Sequence, residues 1–135
     1  MNSPATDLAS LLATAAIGTF AGITGWSIYV NREPNDPDST ITLYDVGGTT
    51  IDGLCDTERN DDFRIQVRVR NNSYTTAYQK ALAVEAVLDV VAQETIDSTY
   101  YNVIYRIDLI SSLGQDEKDR SILVQTYGGL RSLII

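Results

Sequence analysis

The clearest periodicity in the chain is the run FRIQVRVRN, where Phe63, Ile65, Val67 and Val69 alternate with Arg64, Gln66, Arg68 and Arg70. Side chains two residues apart share a face of a strand, so the run predicts a half-buried β-strand with one apolar and one cationic face. The next segment, NSYTTAYQKALAVEAVLDVV, changes period. Tyr74, Ala77, Tyr78, Ala81, Val84, Leu88 and Val91 fall on one side of a helix, and Asn72 or Ser73 offers an N-cap. Apolar strand face and apolar helix face are expected to pack on each other.

Upstream, Ser3 can cap a helix, Pro4 suits its first position and Asp7 suits its positive end, with Leu8, Leu11, Leu12 and Ala15 as the apolar stripe. After Gly18 the period falls to two: Trp26, Ile28 and Val30 oppose Ser27 and Tyr29. NREPNDPDST reads as a loop, ITLYDVGG as a strand ending at Gly47-Gly48, and GLCDTERNDD as an exposed acidic loop. In the last third, Tyr101, Val103, Tyr105, Ile107 and Leu109 alternate along one strand. SSLGQDEKDR reads as a loop, and SILVQTYGG as the returning strand with Ile122, Val124 and Thr126 on one side. The expected order is α-β-β-β-α-β-β: a single α+β domain over residues 1–135, with both helices on one face of a mainly antiparallel or mixed sheet of about four to five strands. Residues 1–5 and 131–135 are expected to be flexible or interfacial, because the apolar LRSLII end needs cover from its own sheet or from a partner.

Composition narrows the function. A chain of 135 residues with 44% apolar residues can bury one core, and a formal charge of −8 argues against a duplex binder that works by displacing counterions. Histidine is absent, which removes the commonest general base and metal ligand, and Cys55 is the only cysteine. Leu8 to Asn31 carries no charge and is long enough to span a bilayer. Gly18, Gly22 and Gly25 interrupt it, however, and no Lys or Arg precedes it, so a buried helix followed by a strand is expected, with no membrane contact.

Candidate chemistry is sparse. Gly47-Gly48 after a strand suggests a phosphate cradle, and with it a small nucleotide-binding enzyme, but Thr49 and Thr50 follow where a Walker loop needs lysine. Asp56, Glu58 and Asn60 alternate like a calcium loop, yet Asp61 replaces the required glycine and Val67 the bidentate acid. No catalytic residue, cofactor or metal is therefore expected. The arginine stripe, Arg64, Arg68 and Arg70, is either a solvated face or an ion-paired contact between subunits. The acids for such a contact are Asp56, Glu58, Asp61 and Asp62 in DTERNDD, and Asp116 and Glu117 in GQDEKD. Tyr74, Tyr78, Tyr100, Tyr101 and Tyr105 read as core edge or interface.

Two stretches carry a family resemblance: Pro34, Pro37, Asp38, Ile41, Leu43, Tyr44, Asp45, Gly47 and Gly48 in the first, and Val67, Val69, Arg70, Tyr74 and Ala77 in the second. With the order of elements around them, they make the chain resemble the tail terminator and minor capsid proteins of long-tailed, siphovirus-type bacteriophages over most of its length. The resemblance implies a virion structural protein at the head-tail junction, assembled in the host cytoplasm. It implies a homohexameric ring that caps the tail tube, ends its polymerisation and offers a surface for joining the head. Its partners would be further copies of itself, the tail tube protein and a head completion or connector protein, with DNA passing through the lumen without specific binding. Another neck or head completion protein is the alternative within the same class.

Overall fold

The computed structural model describes residues 1–20, 25–51 and 58–134. Helix α1 (Pro4–Thr14) begins where the sequence offers a cap: Ser3 Oγ accepts the Thr6 amide at 3.2 Å. Ala5, Leu8, Ala9 and Leu12 are fully buried. The chain then passes to β1 (Thr19–Phe20) and β2 (Ser27–Val30), so the uncharged run is divided between a helix end and two short strands. Among the described residues no helix is long and apolar enough to cross a membrane.

Helix α2 (Tyr74–Leu88) is capped by Ser73 and buries Ala77, Ala81, Val84 and Leu88. It stops before Val91, which is buried beyond the helix end, and Tyr74 faces solvent. The remaining strands are β3 (Thr40–Ile51), β4 (Glu58–Asn71), β5 (Ala92–Ile96), β6 (Thr99–Arg106), β7 (Ser111–Gln115) and β8 (Ser121–Ile134). The sheet is thus eight-stranded, in the order β1-β2-β3-β4-β8-β6-β5 with β7 also on β8, and not a sheet of four to five strands. It is mixed: β1, β2 and β3 are parallel to one another and the other pairs antiparallel. The strands that patterning missed are β1, with two residues, and the fully or largely exposed edges β5 and β7. An edge open on both faces has no reason to alternate apolar and polar residues, so period two is silent there.

Both helices lie on one face of this sheet. Their apolar sides meet Ile41 and Leu43 of β3, Phe63, Ile65, Val67 and Val69 of β4, and Leu123 and Tyr127 of β8 in one cluster. The register explains the common face, since Ile41 pairs with Val69, Leu43 with Val67, and Val69 with Leu123. On β8, Ile122, Val124 and Thr126 fall on the far side. The helix-facing set includes Gln125, whose Nε2 donates to Glu85 Oε2 (2.9 Å) and to the Asp108 carbonyl (3.0 Å).

Three expectations about strand ends need correction. β6 does not alternate through Leu109: its register on β8 shifts between Tyr101 and Val103. That bulge puts Tyr101 and Ile104 in the core and leaves Tyr105, Ile107 and Leu109 exposed. Gly128-Gly129 does not end β8, and LRSLI forms its last rungs through Ile134, pairing with the start of β4. Glycine is required at 129 by crowding, because a Cβ there would stand 2.3 Å from the Val103 carbonyl oxygen and 2.8 Å from the Phe63 ring.

Gly47-Gly48 likewise does not end β3. The glycines form a bulge between Asp45 and Gly48, with φ of +90° and +135°, and the strand continues to Ile51. The acidic segment expected to be a loop supplies, from Glu58 on, the opening rungs of β4. A Cβ on Gly48 would lie 2.0 Å from the Asp62 carbonyl oxygen, whereas one on Gly47 would meet nothing within 4 Å. Gly48→Ala is expected to destabilise by about 2–3 kcal/mol and to lower Tm by roughly 5–10 °C. Gly47→Ala should lower it less, and paired thermal melts compare the two.

Candidate functional site

The face of the sheet away from the helices carries the arginine stripe. Residues 31–39 join the parallel strands β2 and β3 without a helix, and two buried arginines receive this loop. Arg70 is 3% exposed; its Nη2 donates to the Pro37 carbonyl at 2.7 Å, its Nη1 meets Glu33 at 3.2 Å, and its Nε reaches the Asp38 carbonyl at 3.4 Å. Arg120, also 3% exposed, donates to the Asn35 carbonyl (2.6 Å) and pairs with Asp38 (3.2 Å) and Asp116 (2.8 Å). Arg68 shares Glu33 at 3.1 Å. Guanidinium suits this task because its fixed fork of donors satisfies several loop acceptors together. The loop is thereby bound to β4 and to the start of β8.

The other charged residues singled out in the sequence divide between internal and open positions. Asp61 accepts from Arg131 (3.3 Å) and from Arg59 (3.1 Å). Asp116 is held by Arg120, and its Oδ1 also caps the turn by accepting the Lys118 and Arg120 amides, each at 3.0 Å. Arg64, Asp62 and Glu117 have no ion pair among the described residues. The Arg64 guanidinium lies over Gly128, with Nη1 3.0 Å from where a Cβ would stand. Glu58 opens β4, and Asp56 lies outside the described residues. The uncovered part of this face presents Tyr44, Arg64, Gln66, Thr126 and Tyr105, all partly or fully exposed.

On the helix side, a polar network that patterning missed joins both ends of the chain. Tyr101 Oη donates to Asp7 Oδ2 at 2.5 Å, Arg131 Nη1 donates to Tyr101 Oη (3.4 Å) and to the Asn2 carbonyl (2.8 Å), and Arg131 Nε reaches Asp61. Asp7 is 1% exposed and Arg131 6%. Burial, and next the bond to the Asp7 carboxylate, push the Tyr101 phenol up, so it stays a donor throughout the working pH range. The one sequence signal was Asp7 itself, an acid within the stripe of Leu8, Leu11 and Leu12.

The glycine bulge borders an open cleft of about 410 Å³, also lined by Asp45, Thr49, Thr50, Arg59 and Asp61. Its bulge leads into more strand and not into a helix, no lysine among the described residues lines the cleft, and Arg59 is paired with Asp61, so the arrangement lacks the glycine-loop-to-helix geometry and the lysine of a Walker cradle.

Acid sensitivity follows from the loop clamp. Desolvation raises the Asp116 carboxyl, but the hydrogen bonds and charge of Arg120 outweigh it and hold the group at about 2, against an ordinary 3.8. A depressed folded value stabilises the protein fully above the ordinary value, and that stabilisation is lost as pH falls through the folded one. Thermal melts between pH 5 and 2 should show Tm falling below about pH 4, with a shallower fall in Asp116→Asn. Equal slopes in the two proteins would contradict this role.

Comparison with known proteins bears on the whole chain. A chain of a solved structure, "Virion of native gene transfer agent (GTA) particle", has a TM-score of 0.57 at 15% identity, covering 93% of this chain and 84% of that one. At that identity the likeness speaks to the fold. No curated protein matches the chain. The model of the family described as bacteriophage tail terminator protein matches residues 11–127, from within α1 to Tyr127 of β8. This match decides the class: the chain belongs to the bacteriophage tail terminator family, a family of phage virion structural proteins and not of enzymes.

Proposed function

We propose that this protein caps the tail tube as a homohexameric ring, stops its polymerisation and presents the surface on which the head is joined. The observation that carries the reading is the family match across residues 11–127. The structure supports it in three ways. The helix-free face of the sheet is only partly covered, by residues 31–39, and the rest displays Tyr44, Gln66, Tyr105 and Arg64, residue types suited to protein contacts. Arg64 keeps a free guanidinium while Arg68 and Arg70 are committed to Glu33, so a charged contact with acids such as Glu117 of a neighbouring subunit centres on Arg64. Different faces of one subunit meeting in turn give a heterologous contact, which closes into a ring when the rotation permits.

The charge balance fits a lumen that DNA passes without being gripped. The chain carries −8 overall, and most of its arginines are paired internally, so the surface lacks the free cationic stripe that duplex binding requires. The tail tube protein below and a head completion protein above are the partners this reading assigns.

A phage lacking this protein is expected to make tails that overrun their normal length and rarely carry heads, with purified protein restoring both. Arg64→Glu should keep the wild-type Tm yet restore length control about tenfold less efficiently. Electron microscopy of the tails reads the result. Tails of normal length that merely lack heads would instead assign the protein to head completion.

A further inference from the structure

The sheet has two open edges at the same height. Strand β2 accompanies β3 only to Leu43. There Asn31 closes the pairing, donating Nδ2 to Asp45 Oδ2 and accepting the Asp45 amide on Oδ1, each at 3.0 Å. From Val46 to Thr50, β3 is exposed and, on the side away from β4, has no strand beside it among the described residues. On the opposite flank, β5 ends the sheet with Ala92 to Thr95 exposed. One row of cross-strand partners runs from edge to edge: Thr50, Asp61, Arg131, Tyr101, Glu94. β3 and β5 also run in the same direction, because the four antiparallel pairings from β3 through β4, β8 and β6 to β5 reverse the chain an even number of times.

Unpaired strand edges are normally blunted by charge, proline or cover. Val46–Thr50 has neither charge nor proline, and a neighbouring backbone can approach Gly47, beside which a Cβ would find open space. On β5 the single charge is Glu94, which has no ion pair among the described residues. Glu94 and Thr50 share the helix side of the sheet. So does Arg59, two residues from Asp61 along β4, with a side chain 51% exposed and an Asp61 partner that it shares with Arg131. One edge therefore offers an acid in want of a base, and an accessible base stands on β4 just inside the other edge, two residues along from the shared row.

We infer that Val46–Thr50 of one subunit pairs with β5 of a second copy, so that the sheet continues through the subunit contact and Glu94 closes on Arg59. This rests on the ring reading and adds which edges meet. Two different edges joining in one sense make a head-to-tail contact, the kind that repeats around an axis and can close.

The test uses the whole chain with Cys55→Ser, carrying Thr50→Cys and Glu94→Cys, free at high concentration and bound to tail tubes. Oxidation should give a ladder of disulfide-linked copies up to the ring, absent from either single-cysteine chain. Independently, Glu94→Arg and Arg59→Glu should each weaken assembly about tenfold, and the double exchange should restore it. Melts matching the wild type exclude misfolding, and if the cysteine chain folds poorly the charge exchange decides alone. A ring-sized particle with no ladder and no effect of the charge variants overturns this inference while leaving the ring intact. A monomer both free and on tails overturns the ring reading, and this inference with it.

Discussion

The antiparallel ladder between β4 and β8 is the constraint on which the rest of the structure depends. It runs without a register shift from Asn71 and Ser121 to Glu58 and Ile134, and joins the middle of the chain to its last described residues. Everything else is placed relative to it. β3 and β6 pair on its two sides, both helices pack on one of its faces, and the loop of residues 31–39 is held against the other by Arg70, with Arg120 just before β8. Such long-range pairing closes large loops, so its free energy comes from the apolar residues it aligns and not from local propensity. Phe63 and Tyr101 show the economy of the arrangement: their rings meet edge to face at 5.5 Å because Gly129 leaves room between them.

A ladder of this kind separates two jobs. The helix face buries a partnered polar chain, Asp7–Tyr101–Arg131–Asp61, and so holds the fold together. On the other face the internal needs of the chain end at residues 31–39 and the arginines that bind them. Beyond this clamp lie Arg64, the tyrosines and the open strand edges, which the fold itself does not use. A structural protein that works by contact needs this division, because surface committed to folding cannot also serve a partner.

The parts legible in the sequence were those set by one buried face. Phe63 to Val69 alternated because the helices cover one side of β4, and Ser3 and Ser73 marked helix starts because capping is local chemistry. Alternation failed wherever tertiary context governed. β5 and β7 carry polar residues because both of their faces are wet, and the bulge at Asn102 reversed the faces of β6 by a backbone choice that leaves no side-chain signature. The glycine pairs read as stops because glycine usually ends strands, whereas here they admit a bulge and a close crossing. Of the candidate site, the arginine stripe was visible as a row. Which of its members were already paired was not, since Glu33 and the Pro37 carbonyl reach Arg70 only through the parallel crossover from β2 to β3. The family resemblance reached further than patterning because its short motifs fall on that crossover and on β4, the elements that fix the topology.

The central claim is that folding is complete along β4 and β8 within one chain, while the outer parts of the sheet are completed only by assembly. Amide hydrogen exchange on the dilute protein and on the same protein bound to tails measures this directly. The expected result is strong protection of Ile65–Val69 and Leu123–Tyr127 in both states, with Val46–Thr50 and Ala92–Ile96 exchanging fast when free and slowly on tails. Edges that exchange equally fast in both states, or β4 and β8 amides protected only on tails, would contradict it.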